Sequence, residues 1–314
     1  MIRFNKPKFW DKKIGFFSIL LFPLSLAFIF LTFLRKRFTK TQKFKIPVIC
    51  IGNIYVGGTG KTPLSIFLGT KLDKLLKKPI ILRKYYKNHN DEYNLIKNNF
   101  KNLILTKNRS ASLRELEKSD FDIAILDDGL QDYRIKKDLS IVCFNYNQLI
   151  GNGLVIPSGP LRENLSALKN ADIIVINGGK NKEFEEKILN INQKLKIFYS
   201  KYKPIDIEKF KNKNLLAIAG IGNPENFFRL IEENNLIIKK KLYFPDHYRF
   251  AKNEIEIIVD KAKKENLQIV MTEKDYFKIN NFNINSIEYL KVSLEIENYQ
   301  ELLGKIVGLY DKNN

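Results

Sequence analysis

The chain has 314 residues, 44% of them apolar, which is enough for one large or two modest cores and excludes an intrinsically disordered protein. Its net charge of +20 suits an anionic partner, but the lysines are scattered among Asn and Ile with no basic arm or recognised nucleic-acid motif, so no nucleic-acid partner is expected. Its two cysteines, Cys50 and Cys143, both lie in apolar runs, which argues against a disulfide framework and a cysteine-built metal site.

The first element in chain order is the uncharged run Ile14–Leu34, which as one helix would be about 31 Å long, enough to span a bilayer. Both flanks are basic, with Lys12 and Lys13 before it and Arg35, Lys36 and Arg37 after. An N-terminal membrane-associated segment over residues 1–45 is therefore expected, with the C-terminal side in the cytoplasm. Pro23 leaves two forms open, a kinked spanning helix or two interfacial segments. A cleaved signal peptide is not expected, because no small-residue cleavage site follows the run.

The apolar run 46–51 then leads into Gly52-Asn53-Ile54-Tyr55-Val56-Gly57-Gly58-Thr59-Gly60-Lys61-Thr62-Pro63, followed by an amphipathic stretch to residue 77. A strand, a glycine-rich turn ending in Gly-Lys-Thr and a helix make a phosphate-binding loop. Its backbone N–H groups cradle phosphate, Lys61 supplies a mobile charge, and the Thr62 hydroxyl is placed for Mg²⁺. Val56, Gly57, Gly58, Thr59, Gly60, Lys61, Thr62 and Pro63 are the candidate nucleotide-binding residues. The strict pattern G-x-x-x-x-G-K-[ST] is missed at one position, where Tyr55 replaces the first glycine.

Apolar strands recur at 79–83, 102–105, 121–126, 139–144 and 171–176, with a helical pattern at 110–118. Continuous apolar strands between helices predict an α/β fold, a mostly parallel sheet of the P-loop NTPase type with helices on both faces and ligands at the carboxyl ends of its strands. Arg83 and the pair Asp127-Asp128 stand at such ends. A carboxylate there, beside a phosphate loop, is the expected Mg²⁺ partner, and spacing leaves open which of the two serves. This core is expected over 46–200. A smaller α/β lobe is expected over 201–314, beginning with the strand and turn Leu215–Pro224 and including a helix over 251–265. Of the two histidines, His89 sits in a polar run and His247 at a strand-to-helix junction, where helix capping and proton transfer are both open.

Taken in order, these blocks resemble the tetraacyldisaccharide 4′-kinase family. The resemblance is carried by the N-terminal apolar segment, the phosphate loop, Asp127-Asp128-Gly129-Leu130-Gln131, Gly151-Asn152-Gly153, Pro157-Ser158-Gly159-Pro160-Leu161-Arg162-Glu163, Asn177-Gly178-Gly179, Ala219–Pro224, Phe244-Pro245-Asp246-His247-Tyr248 and Met271-Thr272-Glu273-Lys274-Asp275. It implies transfer of the ATP γ-phosphoryl group, with Mg²⁺, to the 4′-hydroxyl of an acylated glucosamine disaccharide 1-phosphate, giving lipid IVA for lipid A. It also implies a place at the inner membrane, against membrane lipid, with the catalytic lobes facing the cytoplasm. By motif position, Asp91 and His247 correspond to the family's Asp/His base pair. Lys61 and Thr62 would hold phosphate and Mg²⁺, and Arg162 with Glu163 corresponds to its substrate-side pair. The sequence departs from the family at Lys84 and Tyr86, where glycines are usual, at Tyr93, where proline is usual, and at Asp132, where histidine is usual. The rival reading is a membrane-bound P-loop ATPase that regulates a protein partner and phosphorylates no small molecule.

Overall fold

The computed structural model describes residues 6–309 except Asn88 and His247. Its regular elements are α1 (Phe16–Leu20), α2 (Phe22–Phe38), β1 (Val48–Gly52), α3 (Lys61–Lys74), β2 (Pro79–Lys84), α4 (Asn90–Asn99), β3 (Leu103–Thr106), α5 (Arg109–Leu116), β4 (Ile123–Asp127), β5 (Leu139–Asn145), β6 (Ile173–Asn177), α6 (Lys182–Leu189), β7 (Lys196–Ile205), β8 (Asn214–Ala219), α7 (Pro224–Glu233), β9 (Ile237–Tyr243), α8 (Lys252–Lys264), β10 (Gln268–Thr272), α9 (Glu273–Ile279), β11 (Ile287–Ile296) and α10 (Tyr299–Val307). The chain forms two compact units. The first takes Met1–Tyr85, Asn102–Lys201 and Glu295–Asn314, and the second takes Tyr86–Lys101 and Tyr202–Leu294. Two stretches thus lie across a division at residue 200: α4 belongs to the second unit and α10 to the first.

In the first unit the strands run in the order β3-β2-β4-β1-β5-β6-β7. All the paired neighbours are parallel. Every residue of β1, β4 and β5 is buried, as expected of strands covered on both faces. Leu113 and Leu116 of α5 pack against Val48, Ile80, Leu82, Ala124 and Leu126. Phe184 and Ile188 of α6 cover Val142, Phe144, Ile174 and Ile176. Each fully buried side chain of this kind contributes about 1.5–3 kcal/mol.

The second unit repeats the logic on a smaller scale, with strands ordered β11-β10-β8-β9. Successive residues of β8 point to opposite faces. Leu215, Ala217 and Ala219 meet Phe227, Phe228 and Ile231 of α7. Leu216 and Ile218 meet Ile255, Val259 and Ala262 of α8.

The N-terminal run differs from a single long helix. It divides at Leu21 into α1 and the 17-residue α2, with Pro23 in the first turn of α2. Proline has no N–H to carry the ladder back into α1, so the helices separate there. No helix among the described residues is long and apolar enough to cross a membrane. The burial pattern is inverted: Ser18 and Ser25 are buried, whereas Phe16, Phe17, Ile19, Leu20, Phe30, Leu31 and Phe33 are exposed. The Ser25 hydroxyl donates to the Val155 carbonyl and is hydrogen-bonded to the Ser158 hydroxyl, both at 2.8 Å, which docks α2 by its polar side.

Candidate active site

The phosphate loop follows from β1 ending in the middle of the first sheet. Its last turn bends through Gly60 (φ 90°), in the left-handed region that glycine adopts without penalty, and α3 starts at Lys61. The N-terminus of α3 therefore presents free N–H groups and the positive end of its dipole beside Lys61 and Thr62. Inside the loop, Asn53 donates to the Thr59 hydroxyl (3.0 Å) and the Gly57 carbonyl (3.3 Å). Its own Oδ1 is buried without a hydrogen-bond partner. The outer strand of the loop is held by the 157–163 block: Val56 N–H donates to the Pro160 carbonyl at 2.8 Å, and Arg162 N–H to the Ile54 carbonyl at 2.6 Å. Tyr55 is fully buried. Its hydroxyl donates to Asp11 at 2.7 Å and accepts from Lys6, tying the loop to the N-terminal segment.

Parallel register brings the charged groups to this loop. Asp127 is the partner of Ile51 on one side and of Arg83 on the other. Its fully buried carboxylate accepts from Thr62 and Ser65, each at 3.1 Å, and from Arg83, which also donates to Thr62 at 3.0 Å. Asp128 turns the other way, with φ 54°. Its carboxylate lies 3.8 Å from the Lys61 ammonium and 3.1 Å from the Arg162 guanidinium. Burial pushes the Asp128 carboxyl up, but Lys61 and Arg162 outweigh it and hold it well below the usual carboxylate range. Burial, reinforced by Arg162, pulls the Lys61 ammonium below its ordinary value. Glu163 accepts from Gln131 at 3.0 Å, and Gln131 donates as well to the Asn53 carbonyl at 3.1 Å. Arg109 braces the turn by donating to the Asp127 and Asp128 carbonyls.

The donor set is hard oxygen. Among the described residues no three His, Cys, Asp or Glu side chains converge on a metal position. None is required for Mg²⁺, which takes one or two carboxylates and completes its octahedron with water and substrate phosphates. Thr62 and Asp127, adjacent and beside the loop, fit that role.

In the second unit, Asp91 lies in the first turn of α4 and is only 5% exposed. Its carboxylate is 3.5 Å from Lys274 and 3.8 Å from Lys278, both on α9. His247 lies outside the described residues.

The sequence over residues 17–308 matches the family model described as tetraacyldisaccharide-1-P 4′-kinase. The chain belongs to that family. A tetraacyldisaccharide 4′-kinase of Pelagibacter ubique is 43% identical over 99% of this chain and 100% of its own length. Another from Rickettsia akari is 35% identical, covering 98% of each. LpxK from Aquifex aeolicus, crystallised in complex with ATP, shares the fold with a TM-score of 0.71 at 23% identity, covering 94% of this chain and all of its own.

Within this 4′-kinase family chain, the expected residues Val56 to Pro63, Asp127, Asp128, Arg162 and Glu163 gather around one loop of the first unit. Asp91 belongs to the second. Sequence reasoning gave no role to Arg109, Gln131, Lys274 or Lys278. Gln131 and Lys274 stand inside quoted motif blocks, and the i, i+4 spacing of Lys274 and Lys278 places both on one helix face.

Proposed function

We propose that this chain transfers the γ-phosphoryl group of ATP to the 4′-hydroxyl of a tetraacylated glucosamine disaccharide 1-phosphate, yielding lipid IVA and ADP. The observation that carries the reading is the Gly60-Lys61-Thr62 turn facing Asp127, Asp128 and Arg162 in a chain that belongs to the 4′-kinase family along nearly its whole length. Loop N–H groups and Lys61 bind the phosphates and stabilise charge that develops on them, while Thr62 and Asp127 are the residues that would hold Mg²⁺. When bound, the metal would supply positive charge that neutralises the phosphates. Asp128 fixes Lys61 and Arg162 in place, and Arg162 with Glu163 faces the acceptor.

The new bond joins the 4′-oxygen to the γ-phosphorus, and the hydroxyl proton must leave. We assign its acceptance to His247, oriented by Asp91, since a neighbouring carboxylate fixes the imidazole tautomer and favours the imidazolium. The exposed apolar residues of α1 and α2, followed by Arg35, Lys36 and Arg37 in the last turn of α2, suit a helix pair lying in the surface of an anionic inner membrane with the kinase units on the cytoplasmic side.

The test is incubation of the purified chain in detergent with Mg-ATP and the disaccharide 1-phosphate, read by mass spectrometry. One added phosphate on the disaccharide is expected. ATP hydrolysis without a phosphorylated lipid rejects the kinase reading in favour of a regulatory ATPase.

A further inference from the structure

Lys274 stands in the first turn of α9, which Thr272 caps by accepting from the Asp275 N–H. Its side chain is 15% exposed and its ammonium lies 2.9 Å from Asp246, 3.5 Å from Asp91 and 3.6 Å from Glu92. Those carboxylates come from two distant parts of the chain. Asp91 and Glu92 open α4, whereas Asp246 belongs to the Phe244–Tyr248 loop after β9 and is the residue immediately before His247. Lys278, on the same face of α9, lies 3.8 Å from Asp91 and 2.6 Å from Asp275, and donates to the Gly220 carbonyl at 3.2 Å. Asp275 is itself fully buried and accepts from the Gly220 N–H and the Thr272 hydroxyl, both at 2.7 Å. His89 lies at the edge of this cluster, 3.1 Å from Glu92. The fixed frame is thus Thr272, Asp275 and Lys278, and Lys274 is the member that reaches outward from it.

We propose that Lys274 is a positioning residue for phosphoryl transfer, joining the Asp91 carboxylate to the loop that carries His247 so that the two members of the base pair are set in register. This rests on the reading of Asp91 and His247 as that pair. An ammonium has three N–H donors and no acceptor, so one lysine can serve three carboxylates where an amide or hydroxyl could not. Burial pulls the Lys274 ammonium down, but Asp246 and Asp91 outweigh it and its pKa is raised, so the charge persists at neutral pH. A permanent cation this close to Asp91 disfavours protonation of the carboxylate. A carboxylate kept in its charged form can orient an imidazole and favour the imidazolium, which leaves the substrate proton on the base.

The chain has two histidines, so a His89→Gln background leaves one imidazole to follow by NMR titration of the full-length protein in detergent. In that background Asp91→Asn is expected to lower the His247 titration midpoint and Lys274→Gln to raise it, each by about half a pH unit or more. Lys274→Gln is expected to lower kcat about tenfold, with KM for ATP within about twofold, and Lys274→Arg to recover most of the loss. A midpoint that responds to Asp91→Asn but not to Lys274→Gln, with kcat unchanged in the latter, overturns the role of Lys274 alone. A midpoint indifferent to Asp91→Asn overturns the base pair itself, and this inference with it. Should Lys274→Gln not fold, Asp246→Asn cuts the loop end of the same bridge. A tenfold fall in kcat at unchanged KM for ATP supports the proposal, and an unchanged kcat rejects it.

Discussion

Arg83 and Asp127 are register partners on adjacent parallel strands, and the Arg83 guanidinium donates both to the Asp127 carboxylate and to the Thr62 hydroxyl that faces it. Both side chains are almost wholly buried. A buried ion pair of this kind adds little net stability, but removing one partner strands the other charge, at about 3–5 kcal/mol. Arg83→Met is therefore expected to lower the unfolding free energy measured in urea by that order. Arg83→Lys should recover only part of it, because a lysine ammonium keeps the charge but not the planar guanidinium whose Nη1 meets both the Thr62 hydroxyl and the Asp127 carboxylate. A stability equal to wild type in Arg83→Met would show that Asp127 is held by other groups.

Lys61 and Asp128 should respond oppositely to pH and mutation. The folded Asp128 pKa lies below the unfolded value, so its contribution to stability is present above about pH 4 and is lost as pH falls further. Asp128→Asn should thus be less stable than wild type at pH 7 and converge with it in acid. The folded Lys61 pKa is also depressed, which for a cation means that its charged form is disfavoured by folding and costs stability at neutral pH. Lys61→Met is expected to lower kcat by about 10²–10³-fold, the scale of a lost preorganised donor, while melting at or above the wild-type temperature. A coupled loss of fold and activity would contradict this separation.

Tyr55 occupies the position where the strict phosphate-loop pattern has glycine, and the structure gives it a different task. Its ring lies in the cluster of Ile54, Phe144, Val155 and Leu161, and its hydroxyl meets Asp11 and Lys6. Burial, then the bond to Asp11, pushes the phenol above its ordinary range, so it stays protonated and donates. Tyr55→Phe should cost about 1–2 kcal/mol with ATP affinity within about twofold. Tyr55→Gly, which completes the strict pattern, should instead cost about 3–5 kcal/mol through the cavity it opens. Tighter ATP binding in Tyr55→Gly would show that the ring obstructs the loop.

The parallel sheet was legible because strands buried on both faces must be largely apolar, as Ile123 to Leu126 and Ile141 to Phe144 are. The phosphate loop was legible because its chemistry is local in sequence. Helix α4 was not: Asn90-Asp91-Glu92-Tyr93-Asn94 is rich in residues that favour turns, and only Tyr93 and Ile96 accompany Asp91 inward. The cluster around Lys274 was hidden for another reason. Its members are separated by nearly the whole second unit, and spacing cannot report contacts that only folding creates. The run at 14–34 carried its own signal of division in Pro23, which left open a kinked helix or two segments, and spacing alone did not decide between them.

The division of that run leads to a prediction about the membrane. On α2 the hydroxyl of Ser25 is spent inward on Val155 and Ser158, while Phe30 and Leu31 point into solvent at 59% and 63% exposure. The two sides should therefore fail differently. Phe30→Glu combined with Leu31→Glu removes apolar area that a lipid surface would cover, at roughly 1.5–3 kcal/mol per side chain, and adds charges that an anionic surface repels. This variant is expected to remain folded and bind ATP but to stop floating with vesicles of phosphatidylethanolamine and phosphatidylglycerol. Ser25→Leu leaves the outer face intact, so it should still float, yet melt lower, because it strands the buried hydroxyl of Ser158 and forces a larger side chain into the joint. If the double glutamate variant floats like wild type, the apolar face of α2 is not what holds the enzyme to lipid, and the basic flank from Arg35 to Arg37 becomes the remaining anchor.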